Sequence, residues 1–532
     1  MKKILSMVIA LMLILSTLSG CESRKQTNSN QSDDKKAAEN LNLTGFPIVN
    51  NKITLKIMGP KASIQAPWDQ MDVFKEMEKK TNIHFEFDTP PAESYQEKKN
   101  LAFASGELPD IFFGRDSINP DDEATYGSQG TLVPIEDLIK KYAPDIENIF
   151  NKFPNIRKSI TCADNHIYSL PSGTDLPMNL TVKMWINQEW LNNVGLKMPS
   201  NVDELYNVLK VFKEDDPNKN GKSDEIPMSS VKLDDIRSGI LSAFGFVDSR
   251  EAVKNGKVIF VPIEQGYKEY LTYMNKLYKE GLLDNETFSQ TSQQMTAKGN
   301  QERVGLFANA GPFLTVKAED NDKYPALPPL TSSVNSQKMW PKNPEATVTA
   351  FAITNKNKYP EASIRWVDYL YTEEGSILFH NGIEGKHWKW VDVNGERQWE
   401  RITPEGKANP EEWRATATPN CGTGTPEIWS KDFAEKQKDP LNAFIRKEVA
   451  EKYEPSFKEI FPQIRFKPDE QKQLTALETD LNTYVAQMEG KFISGNIPMS
   501  EWDEYVKNIK KMNLDKVLSI YQTGYDRWNS VK

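Results

Sequence analysis

The sequence predicts an α/β fold divided into two lobes, with a helical C-terminus. Strand and helix patterns alternate over residues 52–114, and a sheet pattern returns at 346–354 after a long helical stretch. From about Asp469 the chain is helical throughout. With 532 residues, 38% of them hydrophobic, the chain can bury a large core, which excludes general disorder. Its formal net charge of -9 argues against nucleic acid, whose non-specific binding needs clustered positive charge. Three cysteines cannot build a disulfide scaffold, and four histidines leave little for a His-rich metal centre.

Taken in order, the chain begins with an address. Lys2 and Lys3 precede an apolar run from Ile4 to Leu18, too short for a transmembrane anchor. Leu18-Ser-Gly-Cys21 resembles the bacterial lipobox, which makes residues 1–20 a signal peptide and Cys21 the lipidated first residue of the mature chain. The polar stretch up to residue 45 cannot offset its ordering entropy and reads as a flexible tether, with folding expected to begin near Phe46. Cys162 and Cys421 then either pair or stay free and buried; free is favoured, since nothing in the sequence fixes their separation.

Lys52–Met58 alternates polar and apolar residues and stops at Gly59-Pro60, a strand. Trp68, Met71, Phe74 and Met77 share one helical face over 68–80, and Ile83–Phe87 is a second strand. A helix over 94–105 leads to a short strand at 110–114. This β-α-β-α-β order implies parallel strands, and ligands of such sheets sit beyond the strands' carboxyl ends. Helices follow at 187–195, 202–213 and 267–280, then the strand at 346–354 and a helix at 360–372. Lobe 1 is expected from 46–180 and 343–410, and lobe 2 from 181–342 and 411–532. In the C-terminal helix, Leu474, Leu477, Leu481, Tyr484 and Met488 form one stripe.

The sharpest internal motif is Asp216-Pro-Asn218-Lys-Asn220-Gly221-Lys222-Ser-Asp224-Glu225. Asp216, Asn218 and Asn220 place oxygen donors at positions 1, 3 and 5 of a calcium loop. Lys222 would lend its carbonyl, Asp224 falls at position 9, and Pro227 replaces the usual position-12 Glu. Glu225 fills that role in a shortened loop, and a structural Ca²⁺ is expected there. No phosphate loop is formed, because Asp216 stands where its first glycine belongs. Cys421-Gly-Thr-Gly424 starts like a dinucleotide fingerprint but has Glu427 at the third glycine. Twelve tryptophans suggest sugar stacking. Trp190, Trp366 and Trp502 lie inside helical patterns and read as core, while others fall at element ends. Positions at loops make Trp68, Arg115, Asp116, Trp185, Trp340, Glu384 and Trp388 the candidate ligand-binding residues.

Several segments in order resemble the family 1 extracellular solute-binding lipoproteins of carbohydrate ABC importers, most closely the LipO/LplA-like branch of Bacilli and Paenibacilli. They include Ala104–Ile111, Gly130–Ile135, Trp185–Asn187, Asp216–Pro227, Gly382–Gly385, Phe492–Gly495 and Tyr525–Trp528. The resemblance implies a periplasmic-binding-protein-like, type II-like fold with an oligosaccharide in the cleft between its lobes. It implies no enzyme activity, a permease as partner, and a monomer held by its lipid on the outer face of a Gram-positive membrane. It also supports calcium in the 216–225 loop. The alternatives are a surface glycoside hydrolase and a binder of peptides or of a regulatory ligand. The sugar is unnamed by the sequence, and a uronate held by an arginine such as Arg115 is compatible with an acidic protein.

Overall fold

The computed structural model describes residues 39–176, 181–406 and 409–531, so Cys21 lies outside the described residues. The first lobe is built on a six-stranded sheet. Its spatial order is Glu427–Trp429, Ser169–Thr174, Ala346–Ile353, Ile111–Phe113, Ile53–Met58, Ile83–Asp88. The last three strands are parallel, with Ile53 opposite Ile83 and Ile57 opposite Ile111, as the alternating pattern requires. The Ala346–Ile353 strand runs antiparallel to both of its neighbours. The second sheet has three strands, Lys183–Ile186, Val304–Asn309 and Ile226–Ser229, with Val304–Asn309 in the middle.

Local chemistry explains where these elements begin and end. The helix expected from Trp68 starts at Asp72 instead. Pro67 and an extended Met71 (ψ 138°) confine Trp68–Gln70 to one 3-10 turn. The apolar face survives the break, and Trp68, Met71, Phe74 and Met77 are all buried. Asn82 ends the helix in the left-handed region at φ 62°, which lets the chain enter the next strand at once. The long helix Pro468–Ser494 opens with proline at its first position and buries Leu474, Leu481 and Met488. Leu477 and Tyr484 pack at its margin.

Each lobe has its own core. Ile57, Phe74, Phe113, Phe351 and Trp366 belong to the first, and Trp185, Trp190, Phe212, Tyr270 and Phe307 to the second. The C-terminal helices pack on the second core through Leu481, Phe492, Tyr505 and Val517. Strands Trp340–Lys342 and Phe457–Glu459, paired in parallel, form part of the crossing between the lobes. Three observations adjust the sequence-based boundaries. Asn40 already bonds Asn50 and Asn51, and Arg365 holds the Gly45 carbonyl at 3.0 Å, so order begins before Phe46. Glu427–Trp429 pairs with the first sheet although it falls within 411–532. The C-terminal segment also returns to the first lobe, where Arg465 meets Glu123 at 2.8 Å and Trp528 donates to Ser159 at 3.4 Å.

Candidate ligand-binding cleft

At the carboxyl ends of the Ile111–Phe113, Ser169–Thr174 and Glu427–Trp429 strands the chain leaves an opening of about 960 Å³. One wall comes from the first lobe and carries Arg115, His380, Arg401, Arg414, Glu427 and Trp429. The floor is made by crossing segments, among them Thr181, Lys342 and Phe457.

Two glycines shape the wall. Gly422 and Gly424 have φ of 99° and 70°, and a Cβ on Gly422 would lie 2.7 Å from that of Ala62. Their turn is pinned from behind by Gln65, whose amide donates to the Pro419 and Cys421 carbonyls at 2.7 and 2.8 Å. Trp68 in turn donates to the Gln65 side-chain oxygen at 3.0 Å. Beneath the turn sits Glu427, fully enclosed. It accepts from Ser376 at 3.0 Å and from Asn420 at 2.8 Å, and lies 2.9 Å from His380 Nδ1. Burial pushes its carboxyl up to about 8, so it is protonated at neutral pH. Burial, reinforced by Arg414 and Arg401, holds His380 well below the usual imidazole range. The neutral ring stacks on the largely buried Trp429 with centroids 3.7 Å apart, and both residues line the opening. Arg414 donates to the His380 carbonyl at 2.6 Å and to Asn420 at 2.9 Å, and pairs with Glu411. Arg401 pairs with the same Glu411.

The candidates chosen from the sequence separate into three groups. Arg115 lines the opening. Trp68, Trp185 and Trp340 do not: each is at most 2% exposed, which corrects their placement in the cleft. Trp185 donates to the Asn309 carbonyl and Trp340 stacks on Tyr453 at 4.0 Å, both as core residues. Asp116 is beside Arg115, but its backbone is turned to φ 59° and tied to Thr349, and it is not a lining residue. Glu384 and Trp388 meet Trp390 and Arg397 in a separate surface pocket of about 480 Å³ on the first lobe. His380, Arg401, Arg414 and Glu427 were not anticipated. Their one sequence signal was the Gly422/Gly424 turn, set aside above as an incomplete nucleotide motif. Cys162 and Cys421 are both free and buried.

The 216–225 loop is folded around its own donors. Asp216 accepts from the Asn220 and Gly221 amides at 3.0 and 2.9 Å, and Asn220 Nδ2 donates to Asp224 at 3.0 Å. Gly221 takes φ 75°, as the sharp turn requires. Both carboxylate oxygens of Glu225 are buried without a hydrogen-bond partner. Burial and then the neighbouring Asp216 and Asp224 push its pKa up. A cation would relieve that arrangement, so the donor set fits one. Among the described residues, no group of three or more His, Cys, Asp or Glu is gathered closely enough to hold a metal ion. The remaining donors in this loop are Asn amides and a backbone carbonyl.

Two α/β lobes with a polar cleft at their crossing, one wall of it carrying an aromatic stack, define a two-lobed ligand-binding protein. The chain belongs to the family described as bacterial extracellular solute-binding protein, which it matches over residues 58–377. It is 28% identical to the fructooligosaccharide ABC transporter substrate-binding protein FusA of Streptococcus pneumoniae, over 97% of each chain. Lipoprotein LipO of Bacillus subtilis is 27% identical over 64% of this chain and 69% of its own length. The polygalacturonan/rhamnogalacturonan-binding protein YtcQ of the same organism is 30% identical over 64% and 67%. The structure of FusA in complex with kestose superposes with a TM-score of 0.69, covering 90% of this chain and all of that one, at 26% identity. An EF-hand mutant of FusA in complex with fructo-nystose matches equally well. No helix among the described residues is long and apolar enough to cross a membrane.

Proposed function

We propose that this protein captures an oligosaccharide in the interlobe cleft by closure of the lobes and delivers it to the permease of an ABC importer. The observation that carries this reading is the lining of the opening. It combines the His380–Trp429 stack, suited to a sugar-ring face, with buried donors that lack acceptors, Arg401 Nε and Thr181 Oγ1. The full-length similarity to FusA supports it. Closure would bring the second lobe against the ligand, so that contacts to both halves stabilise the closed form.

In the same reading the protein works as a monomer, without chemistry of its own, held at the outer membrane surface by lipid on Cys21. Two acyl chains suffice for stable anchoring. Calcium occupies the 216–225 loop, held by Asp216, Asn218, Asn220, the Lys222 carbonyl, Asp224 and Glu225. There it neutralises the carboxylates and fixes the turn. The EF-hand named in FusA supports this assignment.

Calorimetric titration of the mature protein with a panel of oligosaccharides tests the proposal. Saturable binding with the sugar recovered intact is expected. Chromatographic detection of shortened products would replace binding by hydrolysis, and heat only from peptides would move the ligand class.

A further inference from the structure

We infer that the cleft selects an anionic saccharide, whose carboxylate is taken by the guanidinium of Arg115. This rests on the oligosaccharide reading and names the charge class of that ligand.

The argument begins with the partners of every charged side chain that lines the opening. Lys342 meets Glu345 and Glu459, each at 3.0 Å. Asp175 meets Lys152 at 3.0 Å. Arg401 and Arg414 both use the one carboxylate of Glu411, which leaves that trio with a surplus positive charge. Glu427 is satisfied by Ser376, His380 and Asn420 and, being protonated at neutral pH, neutralises nothing. Arg115 alone among the lining cations has neither an ion pair nor a side-chain hydrogen bond among the described residues. Lys342 shared by two carboxylates and Glu411 shared by two arginines offset one another, so the unpaired Arg115 supplies the positive charge left over in the opening of a chain whose formal charge is -9. Screening over about 8 Å at physiological ionic strength makes the local sign the one a bound ligand meets.

The backbone holds Arg115 for this task. Gly114 turns the chain at φ 104° directly after the strand, the Arg115 amide donates to the Thr423 carbonyl at 3.1 Å, and the Asp116 amide donates to Thr349 at 2.8 Å. The side chain lies against Gly424, where a Cβ would approach its own Cβ to 3.3 Å and Nε to 3.5 Å. The stem is thus supported while the head stays exposed to the cleft. A guanidinium presents two parallel N–H groups that match a carboxylate, and no hydroxyl accepts both equally well.

The test compares a trigalacturonate with a neutral trisaccharide by calorimetry, using wild type, Arg115→Gln and Arg115→Lys. Wild type should prefer the uronate by at least about tenfold, with the preference shrinking as salt is raised. Arg115→Gln should weaken uronate binding about tenfold or more and leave the neutral sugar within about threefold. Arg115→Lys, which keeps charge without the fork, should fall between. Equal or tighter binding of the neutral sugar by wild type overturns the inference while leaving sugar capture intact. So does an equal loss for both ligands in Arg115→Gln. Binding of neither saccharide, by a protein with wild-type melting behaviour, overturns the capture reading and this inference with it.

Discussion

Both lobes seal tryptophans in their cores, Trp68 and Trp366 in the first as much as Trp185 and Trp190 in the second, but only the first also brings aromatic and charged residues to the opening. In the second lobe, Trp185, Trp190 and Trp340 are sealed inside the core, and the conspicuous polar feature is the 216–225 loop, which does not line the cleft. In the first lobe, Trp429 and His380 come to the cleft surface, and arginines and a buried glutamate stand behind them. The residues lining the opening come from the first lobe and the crossing segments. The contrast also explains why position at an element end did not separate Trp68, Trp185 and Trp340, which are sealed in the cores, from Trp429, which lines the opening.

Substitutions on either side of that contrast should separate stability from affinity. Trp185→Ala removes a fully buried side chain and should cost about 3–5 kcal/mol of stability in denaturant unfolding. Trp429→Ala should also destabilise, but its mark is a loss of ligand affinity of about tenfold or more at temperatures where it remains folded. Equal affinities in the two variants would break the contrast.

Glu427 gives the next largest effect. Its folded pKa lies above its unfolded value, so the folded state binds the extra proton. The stability it contributes is complete below the ordinary carboxylate range and is lost as pH rises through about 8. The slope approaches about 1.4 kcal/mol per pH unit at its steepest. Melting curves between pH 5 and 9 should show this decline in wild type and a flatter profile in Glu427→Gln. Parallel profiles would place the titration elsewhere. The smallest effect belongs to the second lobe. Chelating calcium should remove about 1 kcal/mol, a shift of about one to two degrees in Tm, when the ion stood a few-fold above its Kd. Asp216→Ala should show no further shift on chelation, and an unchanged wild-type Tm would reduce the loop to a polar turn.

Much of the frame was legible because it rests on local periodicity. Ile53–Met58, Ile83–Asp88 and the Pro468–Ser494 stripe declare themselves through spacing alone. The start at Asp72 was misread because an apolar face continues through a 3-10 turn as smoothly as through an α-helix. Depth was not legible: Trp68 and Trp429 both stand at element ends, and only the folded chain shows one facing Phe113 and the other facing the cleft. Nor was the wall, since Arg115, His380, Arg401, Arg414 and Glu427 are scattered over three hundred residues and meet only through sheet order.

The repeated crossing of the chain between the lobes has a consequence for the closure proposed above. Paired strands at Trp340–Lys342 and Phe457–Glu459, together with the Arg465–Glu123 tie, join the halves at more than one point. Two halves on a single flexible linker would have to surrender several orientational degrees of freedom each time they met around a sugar. Here nearly all of that ordering occurs once, when the protein folds, and every later encounter begins from halves already facing each other.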